Sequence, residues 1–276
     1  MTKSLSMVCA LVTTFIWGTA FIAQDTGMDN IGPLTFNSAR FTVGFFTILP
    51  LALIFERKKI KLEILSKSKL FIKYLVFMGV SLFLGTFLQQ TALQYTNIAN
   101  AAFFTVFYVP IVPILLFFIY SKKVHWSIWP AIGLCILGVY LLSDFSNSEI
   151  MLGDGLVILC SVFWALHIIF AGKFMEEFDI PMFYAAFQAL FVAALSFIFS
   201  FIFEELNISK ILMESSSILY AGALSGGIAF TLQMYAQKNI EEAPAAIIYS
   251  LEGVFAAVAG WIILNQFLST NNMIGC

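Results

Sequence analysis

Two ionisable side chains lie deep inside apolar stretches of this chain, Arg40 in the run 32–55 and Glu252 in the run 244–264. A charge near the centre of a bilayer costs roughly 2.5–3.5 kcal/mol on insertion scales, so each group needs a polar partner or a wet cavity. Arg40 could bind an anionic group of a solute, or it could tie helices together through backbone carbonyls or Asn37. Glu252 could exchange protons or neutralise an amine, or it could donate a hydrogen bond as a neutral acid or pair with Arg40.

Uncharged polar and aromatic side chains recur in the same apolar stretches. His167 follows Trp164 by one helical turn and could relay protons, although a lone histidine in such a helix is more often a packing residue. Buried glutamines suit a cavity for a polar or zwitterionic solute, and they equally suit hydrogen bonds between helices. The candidate solute-binding residues are Trp17, Arg40, Gln89, Tyr108, Trp164, His167, Gln233, Tyr249 and Glu252.

The amino-acid composition indicates whether these residues lie in a water-soluble protein or in a membrane protein. Hydrophobic residues make up 61% of the 276 residues and charged residues only 11%, whereas soluble domains carry about 25% charged residues. The chain is therefore expected to be an all-α integral membrane protein. Runs long enough to cross a bilayer lie near 5–23, 32–55, 72–94, 98–120, 126–143, 153–172, 181–203, 217–236 and 244–264. A tenth run begins at Asn271 and stops at Cys276, and we interpret it as the start of a truncated span.

The chain contains a faint internal duplication. Four landmarks recur at near-constant separations of 147, 148, 144 and 144 residues. The matching pairs are Trp17 with Trp164, Pro33 with Pro181, Gln89 with Gln233, and Ala102 with Ala246. These separations divide the chain into two five-helix units, residues 1–145 and residues 150–276. Because each unit has an odd number of spans, the second must lie inverted relative to the first, as in alternating-access carriers.

Basic residues predict the orientation of the chain. The termini and loops at one end of the spans hold twelve of the fourteen Lys and Arg residues, whereas the loops at the other end hold Lys210 alone. Lys and Arg concentrate in cytoplasmic loops, so the N-terminus is expected inside and the loop 144–152 outside. We expect a multi-pass protein of a prokaryotic cytoplasmic (inner) membrane. Its expected partners are a small organic solute and membrane lipid, and a homodimer is left open.

Several segments resemble the EamA-type members of the drug/metabolite transporter superfamily. The segment FIWGTAF at 15–21 is similar to that family's first helix, and Ala39-Arg40-Phe41 is similar to its intramembrane arginine motif. Leu251-Glu252 resembles its Leu-Glu-Pro motif, with Gly253 in place of the proline, and Asn265-Gln266 stands where the family often has Gly-Glu. The resemblance implies two five-helix repeats, a central cavity lined mainly by the first four helices of each, and transport of small organic solutes, often outward.

The expected function is secondary transport of small organic metabolites by alternating access, with amino acids or related zwitterions and export favoured. The alternatives are a membrane-embedded lipid-modifying enzyme and a non-transporting scaffold or sensor. The sequence holds no GxxxxGK[ST] phosphate-binding loop, no metal-ligand spacing and no CxxC pair. We therefore expect no enzymatic activity, no catalytic residues, no metal, no cofactor and no nucleic-acid partner.

Cysteines introduced at Ser66 and Ser146 test the predicted topology. With an impermeant maleimide applied to intact cells, Ser146→Cys should be labelled and Ser66→Cys should be protected until the cells are opened, because the positive-inside rule places them on opposite sides. Labelling of the residue-66 variant but not of the residue-146 variant would overturn the topology.

Overall fold

The computed structural model describes residues 2–96, 98–142, 152–264 and 270–275, and this part of the chain contains helices and no strand. The first half holds α1 (Lys3–Thr26), α2 (Pro33–Phe55), α3 (Arg57–Ala92), α4 (Ile98–Thr105), α5 (Tyr108–Tyr120) and α6 (Ile128–Leu142). The second half holds α7 (Leu152–Glu177), α8 (Pro181–Phe203), α9 (Ile208–Met213), α10 (Ser215–Leu219), a π-helix (Tyr220–Ala229), α11 (Phe230–Gln237), α12 (Glu242–Tyr249), α13 (Glu252–Leu264) and α14 (Thr270–Gly275).

Eight helical segments of the described chain are long and apolar enough to cross a membrane, and a ninth, shorter apolar helix covers Ile128–Gly138. The prediction of an all-α multi-pass membrane protein is confirmed. Each of the nine predicted spans corresponds to one of these segments, and α14 lies where the tenth was expected to start. The loop 144–152, which was predicted to lie outside, and the pair Asn265-Gln266 are not among the described residues, except for Leu152.

The segment between the predicted spans 32–55 and 72–94 was expected to be a loop, and this expectation is wrong. Helix α3 begins at Arg57 and runs through this segment, with one non-helical residue at Lys67 (φ −130°, ψ 35°). Lysine and glutamate are good helix formers, so a charged segment next to an apolar span can continue its helix in water. The basic side chains therefore project from a helical extension of the span.

Two of the spans are broken near their middle. α4 ends at Thr105 before α5 begins at Tyr108, and α12 ends at Tyr249 before α13 begins at Glu252. At both breaks the amides bond three residues back, as from Phe107 to Phe104 and from Leu251 to Ile248. Pro110 lacks an N–H and its ring crowds the preceding turn, which accounts for the first break. The second break lies 144 residues later, at the separation of the sequence repeat.

Helices α2 and α8 pack side by side in opposite directions. The carboxylate of Glu56, just after α2, accepts hydrogen bonds from the N–H groups of Met182 (3.0 Å) and Phe183 (2.8 Å) at the start of α8. The carboxylate of Glu204, just after α8, accepts from the N–H groups of Leu34 (2.8 Å) and Thr35 (2.8 Å) at the start of α2. Each helix therefore satisfies the free N–H groups of the other.

These carboxylates replace the caps that the two helices lack. Both helices begin with proline, and neither N-cap residue, Gly32 or Ile180, caps its helix with a side chain. A Cβ on Gly32 would lie 2.3 Å from Cδ of Glu204, so glycine leaves the room that the carboxylate occupies. The reciprocal caps fix both ends of the antiparallel α2–α8 pair.

The end of the bundle that carries Glu56 also carries most of the basic residues, and we call it the basic end. Here Asp179 pairs with both Lys59 and Lys238, and Lys122 pairs with Glu242 at 3.0 Å. Burial alone would raise the pKa of Asp179, but the hydrogen bonds and charges of Lys238 and Lys59 lower it below its usual range. Asp179 therefore stays ionised near neutral pH, and the pairs Lys59–Asp179 and Lys122–Glu242 join the two halves of the chain.

The variant Glu204→Gln tests the reciprocal capping. The amide keeps one acceptor oxygen for two backbone donors, so the helix start is left partly unsatisfied, and a lost cap costs about 0.5–2 kcal/mol. The thermal unfolding temperature in detergent should fall by roughly 2–4 °C per kcal/mol lost. The matched control is Glu205→Gln at the neighbouring, exposed position, which should unfold as the wild type does. Equal shifts for the two variants would contradict a capping role for Glu204.

Candidate functional site

A cavity lies between the two halves of the chain, at the level of the two helix breaks. Its volume is only about 30 Å³, so the cavity is narrow in this conformation. Its lining combines charged, amide, hydroxyl and aromatic side chains. The lining residues are Trp17, Phe21, Gln24, Arg40, Phe41, Thr86, Gln89, Thr105, Tyr108, Trp164, Ile168, Ser225, Phe230 and Glu252.

The two helix breaks meet at this cavity. Tyr108 is the first residue of α5 and Glu252 is the first residue of α13, and the Tyr108 hydroxyl donates a hydrogen bond of 3.2 Å to Oε1 of Glu252. Backbone that leaves the helical pattern inside a membrane must be enclosed by protein or line a cavity. Broken helices at equivalent positions of two repeats are also where transporters build their binding sites. The site is therefore located by backbone geometry as well as by side-chain chemistry.

Arg40 lies 3% exposed in the wall of the cavity. Its Nε donates to Oδ1 of Asn37 (2.8 Å) and its Nη1 donates to Oε1 of Gln24 (2.9 Å). The guanidinium carbon also lies 4.9 Å from the ring centroid of Phe41, where a cation is attracted to the aromatic face. Arg40 thus contacts Asn37 and also lies at a cavity, which the sequence had offered as alternatives. Its hydrogen-bond partners within the described residues, Asn37 and Gln24, are both neutral.

Glu252 lies 6% exposed on the same cavity, and its role stays a prediction. The sequence left open an ion pair between Glu252 and Arg40. Within the described part of the chain this conformation contains no such pair. One cavity therefore holds a buried cationic group and a buried carboxyl group, each held by neutral hydrogen-bond partners.

Aromatic rings form the middle of the site. The ring centroids of Trp17 lie 6.2 Å from Trp164, 5.2 Å from Phe230 and 5.5 Å from Tyr249. We call Trp17, Trp164 and Phe230, which line the cavity, the aromatic cluster, and Tyr249 packs against it. Trp17 and Trp164 come from equivalent positions of the two halves and contact each other directly, so they lie where the halves meet. Their flat faces can hold the apolar part of a small solute.

Of the nine residues predicted to bind solute, six line the cavity and three do not. Those in the lining are Trp17, Arg40, Gln89, Tyr108, Trp164 and Glu252. The other three, His167, Gln233 and Tyr249, are fully buried outside that lining. His167 shares a hydrogen bond of 3.1 Å between its Nε2 and Oε1 of Gln188, which is the packing contact that the sequence left open as an alternative.

Several polar residues that line the cavity were not predicted from the sequence. Thr86 and Thr105 each precede a predicted residue by one helical turn, and Nε2 of Gln89 donates to Oγ1 of Thr105 (3.0 Å). Helical spacing from Gln89 and Tyr108 could have found both threonines. Gln24 was missed because the first span was expected to end at residue 23, and Ser225 is positioned by the π-helix, which carried no clear sequence signal.

A bundle of membrane-spanning helices around a buried cavity with charged lining, built at broken helices, is the architecture of a solute transporter. The model of the EamA-like transporter family matches residues 4–144 and matches a second time at residues 151–276. The two matches cover nearly all of the sequence. The chain belongs to the EamA-like transporter family, and the resemblance seen in its sequence motifs is confirmed.

Known relatives agree with this family. An uncharacterized transporter of Archaeoglobus fulgidus is 27% identical over 94% of this chain and 78% of its own length. The uncharacterized transporter YoaV of Bacillus subtilis is 23% identical over 98% of this chain and 92% of its own length. A protein of known crystal structure superposes with a TM-score of 0.79 at 16% identity, covering 100% of this chain and 95% of that one, which shows a shared fold.

Gly18 positions Glu252, and Gly18→Ala tests this. A Cβ on Gly18 would lie 2.6 Å from the carbonyl oxygen of Glu252 and 2.6 Å from Cβ of Phe255, so α13 must move away from α1. Overpacking of this kind costs about 1–3 kcal/mol, and the thermal unfolding temperature should fall accordingly. The control is Gly253→Ala, next to Glu252, where an added Cβ meets nothing within 4 Å in the described structure. An unchanged unfolding temperature for Gly18→Ala would show that the two helices are not held at this distance.

Proposed function

We propose that this chain is a secondary transporter that carries small organic metabolites across the cytoplasmic membrane of a prokaryote by alternating access. Amino acids or related zwitterions are the favoured solutes, and export is the favoured direction. The observation that carries this proposal is one narrow cavity in which Arg40 and Glu252 are both buried and are not paired with each other.

The chemistry of the cavity suits a solute that carries both charges. The guanidinium of Arg40 can take a carboxylate through charge-assisted hydrogen bonds, because its neutral partners leave its positive charge uncompensated. The carboxyl group of Glu252 can take an ammonium group, and its hydrogen bond from Tyr108 holds it in place. The aromatic cluster can cover the remaining apolar atoms of the solute.

The proposal includes an inverted repeat of residues 1–145 and 150–276. Two geometric relations support it. The reciprocal caps of Glu56 and Glu204 lie at opposite ends of an antiparallel pair, α2 and α8, and the two residues are themselves separated by the repeat distance. The breaks before Tyr108 and Glu252 are likewise separated by the repeat distance and contact each other. Both relations are those of a two-fold axis in the membrane plane.

Orientation and access follow from the basic end. We assign this end to the cytoplasm, with the N-terminus inside, because the basic residues collect there. The ion pairs of Asp179 with Lys59 and of Glu242 with Lys122 join the two halves at this end. Opening of the cavity toward the cytoplasm requires these pairs to separate. The Lys59–Asp179 pair is exposed and contributes little stability, whereas Glu242 is buried and its separation from Lys122 costs more.

Transport by the purified full chain in proteoliposomes tests the proposed function. The vesicles are preloaded with each unlabelled L-amino acid in turn, and counterflow of the same labelled amino acid is measured against protein-free vesicles. Counterflow of one or more of these solutes is the expected result. If no amino acid exchanges, while thermal unfolding shows that the protein remains folded, the assignment of amino acids as the solute class is wrong.

The variant Glu252→Gln separates two roles of the carboxyl group. If Glu252 takes up and releases the coupling proton, the variant should lose gradient-driven accumulation of solute and keep counterflow, because exchange needs no net proton movement. Accumulation driven by an imposed pH gradient and counterflow are measured on the same vesicles. A variant that unfolds or expresses poorly would instead indicate that the carboxyl group stabilises the fold, and unchanged transport with unchanged pH dependence would remove Glu252 from the mechanism.

A further inference from the structure

We propose that the chain has a second solute station on the basic-end side of the aromatic cluster, formed by Gln233, Tyr249 and His167. We call it the inner station. It would take the same small zwitterionic solute through uncharged hydrogen bonds when the protein is open toward the cytoplasm. The inference rests on the proposed function and deepens it, since it gives the solute a defined stop between the charged cavity and the cytoplasm.

The first observation is a group of buried polar atoms without partners. Gln233 is 0% exposed, and in the described part of the chain neither Nε2 nor Oε1 of its side chain has a hydrogen-bond partner. The same holds for the hydroxyl of Tyr249 and for Nδ1 of His167, which are also 0% exposed. A buried polar group without a partner carries a desolvation penalty that nothing in this conformation offsets. Such groups are explained if another conformation supplies their partner.

The second observation is the place of these residues in the fold. Along α7 the chain runs toward the basic end, and His167 follows Trp164 by three residues, a rise of about 4.5 Å. Along α11 the chain also runs toward the basic end, and Gln233 follows Phe230 by three residues. Along α12 the chain runs away from the basic end, so Tyr249 lies nearer to that end than Glu252. Gln233 and Tyr249 therefore lie on the basic-end side of the cavity-lining residues of their own spans, and His167 lies between the lining residues Trp164 and Ile168 of α7.

Ring contacts connect these positions into one layer. The ring of His167 lies 5.6 Å from Phe230 and 6.0 Å from Trp164, measured between centroids. Tyr249 lies 5.5 Å from Trp17, which in turn lies 5.2 Å from Phe230. The Nε1 atoms of both tryptophans are also buried without a partner in the described residues. The indoles therefore lie between the charged cavity and the inner station, with unused donors at their junction.

The third observation is the relation between the two halves of the chain. The repeat distance of 144 residues takes Gln89 to Gln233 and Thr105 to Tyr249. In the first half the pair lines the cavity, and Gln89 donates to Thr105. In the second half the corresponding pair is closed off from the cavity, and its polar atoms are unpaired. The inner station is thus the counterpart of the Gln89–Thr105 side of the cavity, enclosed in this conformation.

The chemistry of the inner station differs from that of the cavity. An amide offers one acceptor and two N–H donors, a phenol offers a donor and an acceptor, and a neutral imidazole offers one of each. These groups can satisfy both the ammonium and the carboxylate of a zwitterion without a full countercharge. A station without charges holds the solute more weakly than Arg40 and Glu252 do, which suits exchange with the cytoplasm.

Gln233→Leu and Tyr249→Phe test the station against a purely structural role. Because each change removes unpaired buried polar atoms, both variants should keep or raise the thermal unfolding temperature, by up to about 2–4 °C. Initial rates of counterflow should nevertheless fall about tenfold, measured with the labelled amino acids that the wild type carries. The matched control is Ser196→Ala, which removes another buried, unpartnered hydroxyl on α8. It should match the station variants in stability and the wild type in transport. Full transport by both station variants would overturn the proposal.

Thiol accessibility tests the station without any labelled solute. In a chain with Cys9, Cys135, Cys160 and Cys276 replaced by alanine, Gln233→Cys should react with the permanently charged, impermeant reagent 2-(trimethylammonio)ethyl methanethiosulfonate in inside-out vesicles and not in right-side-out vesicles. Ser196→Cys should react in neither. No reaction of Gln233→Cys from either side, or reaction from the outside alone, would refute a station that opens to the cytoplasm. This result stands even if the amino-acid panel fails, so the failure of the proposed function and the failure of the station can be told apart.

Discussion

The rest of the structure depends on the pairing of backbone polar groups in a solvent that offers them no hydrogen bonds. Each span satisfies most of these groups within its own helix, and the exceptions determine the architecture. The free N–H groups at the start of α8 are capped by Glu56, and those at the start of α2 are capped by Glu204. Because each cap comes from the end of the partner helix, capping requires that α2 and α8 lie side by side in opposite directions. A local requirement of two helix ends thereby fixes the relation between the two halves of the chain.

The same constraint explains where the site lies. The breaks between α4 and α5 and between α12 and α13 leave backbone groups outside the helical pattern, and such groups cannot face lipid. The two breaks instead face each other, so the first side chains after them, Tyr108 and Glu252, meet in the cavity. One enclosed space therefore shields both the irregular backbone and the buried ionisable groups from lipid. A polar cavity at the level of the breaks follows from these two requirements together.

The two halves of the site are not equal, and this inequality connects structure to transport. On one side of the aromatic cluster the polar side chains are hydrogen-bonded and line the cavity, whereas on the other side the equivalent side chains are buried and unpaired. Ion pairs join the halves at the basic end, while at the opposite end the described contacts between the halves include the cap of Glu204 and the hydrogen bond from Asn30 to Glu214 (2.6 Å). In the proposed alternating-access cycle, a second conformation would exchange these conditions between the two ends.

The sequence by itself determined the membrane as the solvent, the nine spans and the need of Arg40 and Glu252 for polar surroundings, because hydrophobic run length and the cost of a buried charge are local properties. It also located six residues of the cavity lining. It did not determine which polar residues line the cavity in this conformation, so His167, Gln233 and Tyr249 were placed in a lining that excludes them. It also missed the helical extension of α3, the two caps and the hydrogen bond between Tyr108 and Glu252. Those features depend on which residues meet across distances of more than a hundred positions, and only the packing of the two halves decided that.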